Sequence, residues 1–172
     1  MTNRLHTASV IQMLLVALIT VSPAFGQGRH SGRCMMMGDA AHGADMQLFH
    51  QLFAHRTEIN RQVIVREDGI ETVTESKNPE VTRLLQTHVA SMLARVKEGP
   101  PIHLRDPLFV ELFKYAERID ARHELTAGGV RVIETSKDAY VVKLLQAHAE
   151  VVSAFLANGM SEMMKNHPVP PR

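Results

Sequence analysis

Shifted by 60 residues, the chain meets itself without a gap. Between positions 49–99 and 109–159, 14 of 51 residues are identical. They include Phe49/Phe109, Leu52/Leu112, Phe53/Phe113, Gly69/Gly129 and the run Leu84-Leu85-Gln86 with His88, repeated as Leu144-Leu145-Gln146 with His148. A solenoid needs about three or more stacked units to bury its faces. Two copies of 60 residues therefore predict one domain built from two related halves.

Each half reads as helix, hairpin, helix. In the first, Asp45 is placed to cap a helix running to about Gln62, with Phe49, Leu52, Phe53 and Ile59 along one stripe. In the second, Asp106-Pro107 supplies a cap followed by proline at the first helical position, and Phe109, Leu112, Phe113, Ala116 and Ile119 continue it. The β-branched runs Val63-Ile64-Val65 and Ile70 to Thr74 flank Asp68-Gly69, a two-residue hairpin signal, and Gly128-Gly129 occupies the same place in the second copy. The second helices begin at Asn78-Pro79 and at Asp138 and end at Gly99 and Gly159. An isolated hairpin is marginal in water, so the two are expected to pair with each other or to lie on the helices. The fold class is α+β: two helix–β-hairpin–helix repeats in a pseudo-twofold arrangement, four helices with a small antiparallel sheet. The duplicated domain spans 45–159, as 45–99 and 106–159.

The flanks differ in character. Arg4, the apolar run Ala8 to Val21 and then Ala24-Phe25-Gly26 read as a signal peptide over 1–26, with an N-terminal membrane anchor as the alternative. The run is shorter than the ~20 residues a bilayer span needs, so no stable membrane insertion is expected after cleavage. The mature protein is expected in the periplasm or secreted. Residues 27–44 read as a flexible segment containing Cys34, Met35, Met36 and Met37. Residues 160–172 read as a loosely held Met/Pro tail.

Composition narrows the function classes. Nineteen basic against 18 acidic residues give +1, and loss of Arg4 with the signal peptide brings the mature chain to 18 against 18. No basic face for nucleic acid is implied. A single cysteine among 172 residues leaves no internal disulfide outside the cytoplasm. Cys34 is then a free thiol, a metal ligand or half of an intermolecular bridge; such a bridge, or the apolar stripes broadened by Met92, Leu93, Val96, Val151, Val152 and Phe155, would each favour a homodimer without specifying it.

Asn78-Pro79-Glu80-Val81, Arg105-Asp106-Pro107-Leu108-Phe109, Glu134-Thr135-Ser136, Gln146-Ala147-His148 and Asn166-His167-Pro168-Val169-Pro170 together carry a resemblance. The chain resembles a group of small exported bacterial proteins of unassigned function over most of its mature length. The resemblance implies export and the repeat. It implies no activity, and no functional residue is carried over.

The chemistry concentrates on histidine and sulfur. His88 and His148 occupy equivalent positions, each three and four residues after a leucine, on the apolar face of a helix. Two such imidazoles on facing helices suit the axial positions of a haem iron, or two ligands to copper or zinc. Counted back from the hairpin tip, Phe49, Phe53, Phe109 and Phe113 lie near the same level and would wall a haem cavity. The chain has no C-x-x-C-H motif, so such a haem would be bound non-covalently. A duplicated core histidine would leave the same pattern, so a structural or partner-binding module with no cofactor is the competing class. His50 and His55 have Val110 and Tyr115 as counterparts and read as solvated. A third reading is copper handling: Cys34, Met35, Met36 and Met37 with His42 offer soft donors that select Cu(I), and Met160, Met163, Met164 and His167 lie at the other end. The nucleophile-elbow, zinc-protease and phosphate-loop motifs are absent. Glu67, Glu71, Glu75, Glu134 and Glu150 read as scattered, solvated acids. The chain is expected to bind rather than to catalyse.

Overall fold

The computed structural model describes residues 33–172, with side chains from His42 onward. The expected signal peptide at 1–26 and residues 27–32 lie outside the described residues. In chain order the elements are α1 (Arg33–Ala54), a 3-10 turn (Arg56–Glu58), β1 (Ile59–Arg66), β2 (Gly69–Ser76) and α2 (Pro79–Glu98). Then come α3 (Pro107–Lys114), a second 3-10 turn (Ala116–Arg118), β3 (Asp120–Leu125), β4 (Gly129–Thr135), α4 (Ala139–Asn158) and the single turn α5 (Met160–Met163). The class is α+β.

The hairpins do pair. One antiparallel sheet runs β1-β2-β4-β3, with the second strand of each hairpin at its centre. The register carries the 60-residue offset: Thr72 faces Val132, while Ile70↔Glu134 and Thr74↔Val130 exchange under the same shift. Local contacts recur at that offset too. The Gln86 amide donates to the Thr126 carbonyl at 3.4 Å, and the Gln146 amide to the Arg66 carbonyl at 3.1 Å. Asn78 and Asp138 cap α2 and α4 by accepting from the backbone N–H two residues on.

Strand alternation gives the sheet two unlike faces. Ile70, Val130 and Val132 are buried beneath the helices. On the opposite face Glu71 meets Arg131 at 2.8 Å and Arg131 meets Glu124 at 3.1 Å, so that side is charged. The core centres on α4, whose Val141, Leu144, Leu145 and Ala149 are at most 1% exposed. Burying each of these leucines contributes about 1.5–3 kcal/mol. By length and composition α4 could cross a membrane, but here its apolarity is that of a core helix packed on α3 and the sheet.

Several boundaries differ from the sequence reading. Asp45 is no cap: α1 starts at Arg33, so most of the segment expected to be flexible is helical, and Asp45 sits mid-helix. It is 3% exposed, accepting from Ser91 Oγ and from Arg95 Nε, each at 2.6 Å. A buried guanidinium on α2 thereby fixes α1 to α2. The first helix stops at Ala54 rather than near Gln62, because Ile59 opens β1. The third helix is only two turns long and closes in a 3-10 turn, so Ala116 and Ile119 do not continue it. The 160–172 tail is held rather than loose: Lys143 Nζ donates to the Pro171 carbonyl at 3.1 Å, and Arg172 donates to Tyr115 Oη at 2.7 Å.

The hairpin glycines have a different role from the one expected. The first turn is Glu67-Asp68, and Gly69 already pairs with Arg66. What selects glycine at 69 and 129 is the close approach of β2 to β4. A Cβ on Gly69 would stand 1.9 Å from the Glu134 carbonyl oxygen, and one on Gly129 would stand 2.0 Å from that of Thr74. Gly129→Ala is expected to cost about 2 kcal/mol. Gly43→Ala, in open space on α1, is expected to stabilise by about 0.5–1 kcal/mol through helix propensity. Urea midpoints measure both, and equal stability of the two variants would refute the close-approach account.

Candidate functional site

α2 packs on α1 and α4 packs on α3, while α2 and α4 scarcely touch. Between them, above the sheet, lies a cavity of about 210 Å³ with a mainly apolar wall. For scale, an engineered apolar cavity of about 150 Å³ takes up benzene. The wall includes all six residues that the repeat singled out: Phe49, Phe53, Phe109, Phe113, His88 and His148.

The imidazoles arrive there because each histidine continues the buried stripe of its helix. His88 follows Val81 and Leu85 on α2, and His148 follows Leu144 and Leu145 on α4. Each meets the phenylalanine of its own half edge-on. His88 and Phe49 have centroids 4.7 Å apart at 64°, and His148 and Phe109 are 5.1 Å apart at 82°. In both rings Nδ1 is sealed from solvent and has no hydrogen-bond partner. Burial drives both pKa values down from 6.5 to about 4. Asp45 opposes the shift at His88; Arg61 adds to it at His148, where Asp106 opposes it. Both rings are therefore neutral at pH 7, the form that coordinates a metal. Each carries an unfulfilled nitrogen in an interior where such groups are ordinarily paired.

The floor of the cavity is polar, which the sequence reading missed. Glu134 is not a solvated acid. It lies on the inner face of β4, lines the cavity, and burial raises its pKa against the opposing charge of Arg61. Arg61, from β1, donates through Nη1 to Thr74 Oγ1 at 2.9 Å, and its Nε is buried without an acceptor. Burial draws the guanidinium pKa down to about 10, so it stays charged at neutral pH. The available signal was alternation: Arg61 lies between Ile59 and Val63, and Glu134 follows Val130 and Val132, so both fall on the apolar face.

At the α3 end of the cavity stands Asp106, 0% exposed. Its Oδ1 accepts from the backbone N–H of Leu108 at 3.0 Å, which caps α3, and from that of His167 at 3.1 Å. Its Oδ2 is 2.5 Å from His167 Nδ1 and 3.7 Å from His103 Nε2. The other ring nitrogen of His167 is 3.1 Å from Glu162 Oε1. Burial lowers the His167 pKa, but hydrogen bonds to Asp106 and Glu162 outweigh it, and the net shift is upward.

The remaining sulfur and histidine candidates are not drawn together. The side chains of Cys34, Met35, Met36 and Met37 lie outside those described, although their backbone belongs to α1. His42 is exposed. Met160 and Met164 are 41% and 60% exposed, Met163 is buried beside the cavity, and His167 is engaged by its carboxylates. His50 is exposed and His55 meets Glu58 at 2.7 Å. Among the described residues, no group of three or more His, Cys, Asp or Glu is arranged to hold a metal ion. No protein-family model, curated protein or solved structure matches this chain.

Proposed function

We propose that this chain is an exported, non-enzymatic binding protein whose cavity receives haem, with His88 and His148 as the axial ligands. The observation that carries the reading is the entry of two equivalent neutral imidazoles, each with an unpartnered nitrogen, into one aromatic cavity between α2 and α4. Donor number favours haem over a bare ion. Protein-bound zinc is held by about four donors, and among the described residues no group of three or more His, Cys, Asp or Glu is arranged to hold an ion. Haem brings four pyrrole nitrogens of its own and leaves two axial positions for protein side chains. The phenylalanines supply the apolar contact that a macrocycle requires.

Titrating the mature chain with haemin is expected to give a Soret band of a six-coordinate, bis-imidazole complex. His88→Ala and His148→Ala are each expected to convert that spectrum to a five-coordinate one and to weaken binding by about tenfold or more, equivalent to ~1.4 kcal/mol or more. Two folded variants that both retain the wild-type spectrum and affinity would remove the axial assignment.

A further inference from the structure

Two histidines account for one side of the cavity and leave its charged floor unexplained. The fold does not require a cation there, because the equivalent position in the second half is Ala121, packed beside Leu93, Val130 and Val132. Arg61 brings a guanidinium into an apolar enclosure and satisfies it only in part, through Nη1 to Thr74 Oγ1 at 2.9 Å. Its Nε has no acceptor. Glu134 shares the cavity but forms no ion pair with Arg61 within 4.0 Å among the described residues. Burying a charge without full pairing costs several kcal/mol. Such an arrangement is expected where a ligand completes it.

We infer that Arg61 is the anion anchor of this cavity and that the ligand is an amphiphile with an apolar body and a carboxylate. The inference rests on the cavity being a ligand site, as proposed above, and it adds the charged end of that ligand. A planar guanidinium offers parallel N–H donors that match a carboxylate. The Nε without an acceptor is one of these donors. Glu134 is the resident competitor: it is the acid whose charge acts on Arg61, and burial already disfavours its ionised form. A ligand carboxylate takes its place as the counter-charge while Glu134 holds its proton. Haem, with two propionates, and a fatty acid both meet the description, so the test separates them.

The mature chain is titrated with haemin and with haemin dimethyl ester, whose propionates are capped, and separately with dodecanoate and dodecanol. Arg61→Met is expected to weaken the acids by about 10- to 100-fold, the scale of a charge-assisted hydrogen bond. The ester and the alcohol are expected to change by no more than about twofold, since they bring no charge to the anchor. Glu134→Gln removes the competitor and is expected to tighten the acids several-fold without affecting the neutral probes. It keeps the inference testable should Arg61→Met not fold. Equal losses for acid and neutral probes, or no change for either variant, would overturn the anchor. Dodecanoate discrimination without haemin binding would uphold the anchor and reject haem. A haemin complex indifferent to Arg61 and Glu134 would do the reverse, and binding of no probe at all would reject both.

Discussion

Between pH 6.5 and about 4, the ligand-free chain is expected to lose about 3 kcal/mol of stability for each of His88 and His148. The sign follows from where the protons bind. In the unfolded chain each imidazole takes up a proton as pH falls through 6.5. In the folded chain burial withholds that proton until about pH 4. Across that window the unfolded state binds more protons, so falling pH favours unfolding. His103, also lowered chiefly by burial, adds in the same direction. His167 opposes, because its pKa is raised; its contribution is complete below its unfolded value and is lost as pH rises through its folded one. Urea unfolding at pH 7.5, 6 and 4.5 checks the prediction against His88→Leu combined with His148→Leu. The double variant is expected to show a much flatter profile over this range. Equal slopes in the two proteins would mean that the rings are not withheld from protons.

Much of the architecture is readable because the 60-residue repeat in the sequence leaves most signals twice. The hairpins, the caps at Asn78, Asp106 and Asp138, and the two inward-facing histidines all carry a local cue, and all but the Asp106 cap recur after 60 residues. What could not be read is what only tertiary contact decides. Asp45 has the composition of a cap, but its carboxylate is used by Ser91 and Arg95, 46 and 50 residues away. No local pattern distinguishes these two uses. The apolar residues before Ile59 stand at near-helical spacing and predict a helix through it, yet the β-sheet takes it as the start of a strand. The C-terminal tail has the proline content of a loose end. It is ordered by His167, Lys143 and Arg172, whose partners belong to α3, α5, the 160–172 tail itself and the residues around them. The polar floor was legible in principle. Arg61 and Glu134 break an otherwise apolar strand face, and the period of two places them inside. Residue type alone puts Glu134 in solvent, whereas strand parity puts it inside.

Replacing Asp106 with alanine is expected to cost about 3–5 kcal/mol, the loss typical of removing one partner from a buried charged network. Three separate roles end together. The α3 N-terminus loses its cap, worth ~1 kcal/mol in typical cases. The backbone N–H of His167 loses its acceptor, and the ring loses the carboxylate that lies 2.5 Å from Nδ1. A buried donor left unmatched costs about 1–3 kcal/mol. Because the site is 0% exposed, water cannot readily take over these bonds. The tail should therefore release from α3 before the domain unfolds, and amide exchange at residues 165–172 should accelerate beyond the global change. Asp106→Asn separates the roles. Its amide oxygen can still cap Leu108 and receive the His167 N–H, but it cannot balance an imidazolium. It is expected to cost less than the alanine variant, and to lose most of the excess at high pH, where His167 is neutral. Denaturant titrations at pH 6 and pH 9 give both numbers. An alanine variant within about 1 kcal/mol of wild type, the scale of a lone helix cap, would show that Asp106 caps α3 and does not hold the tail.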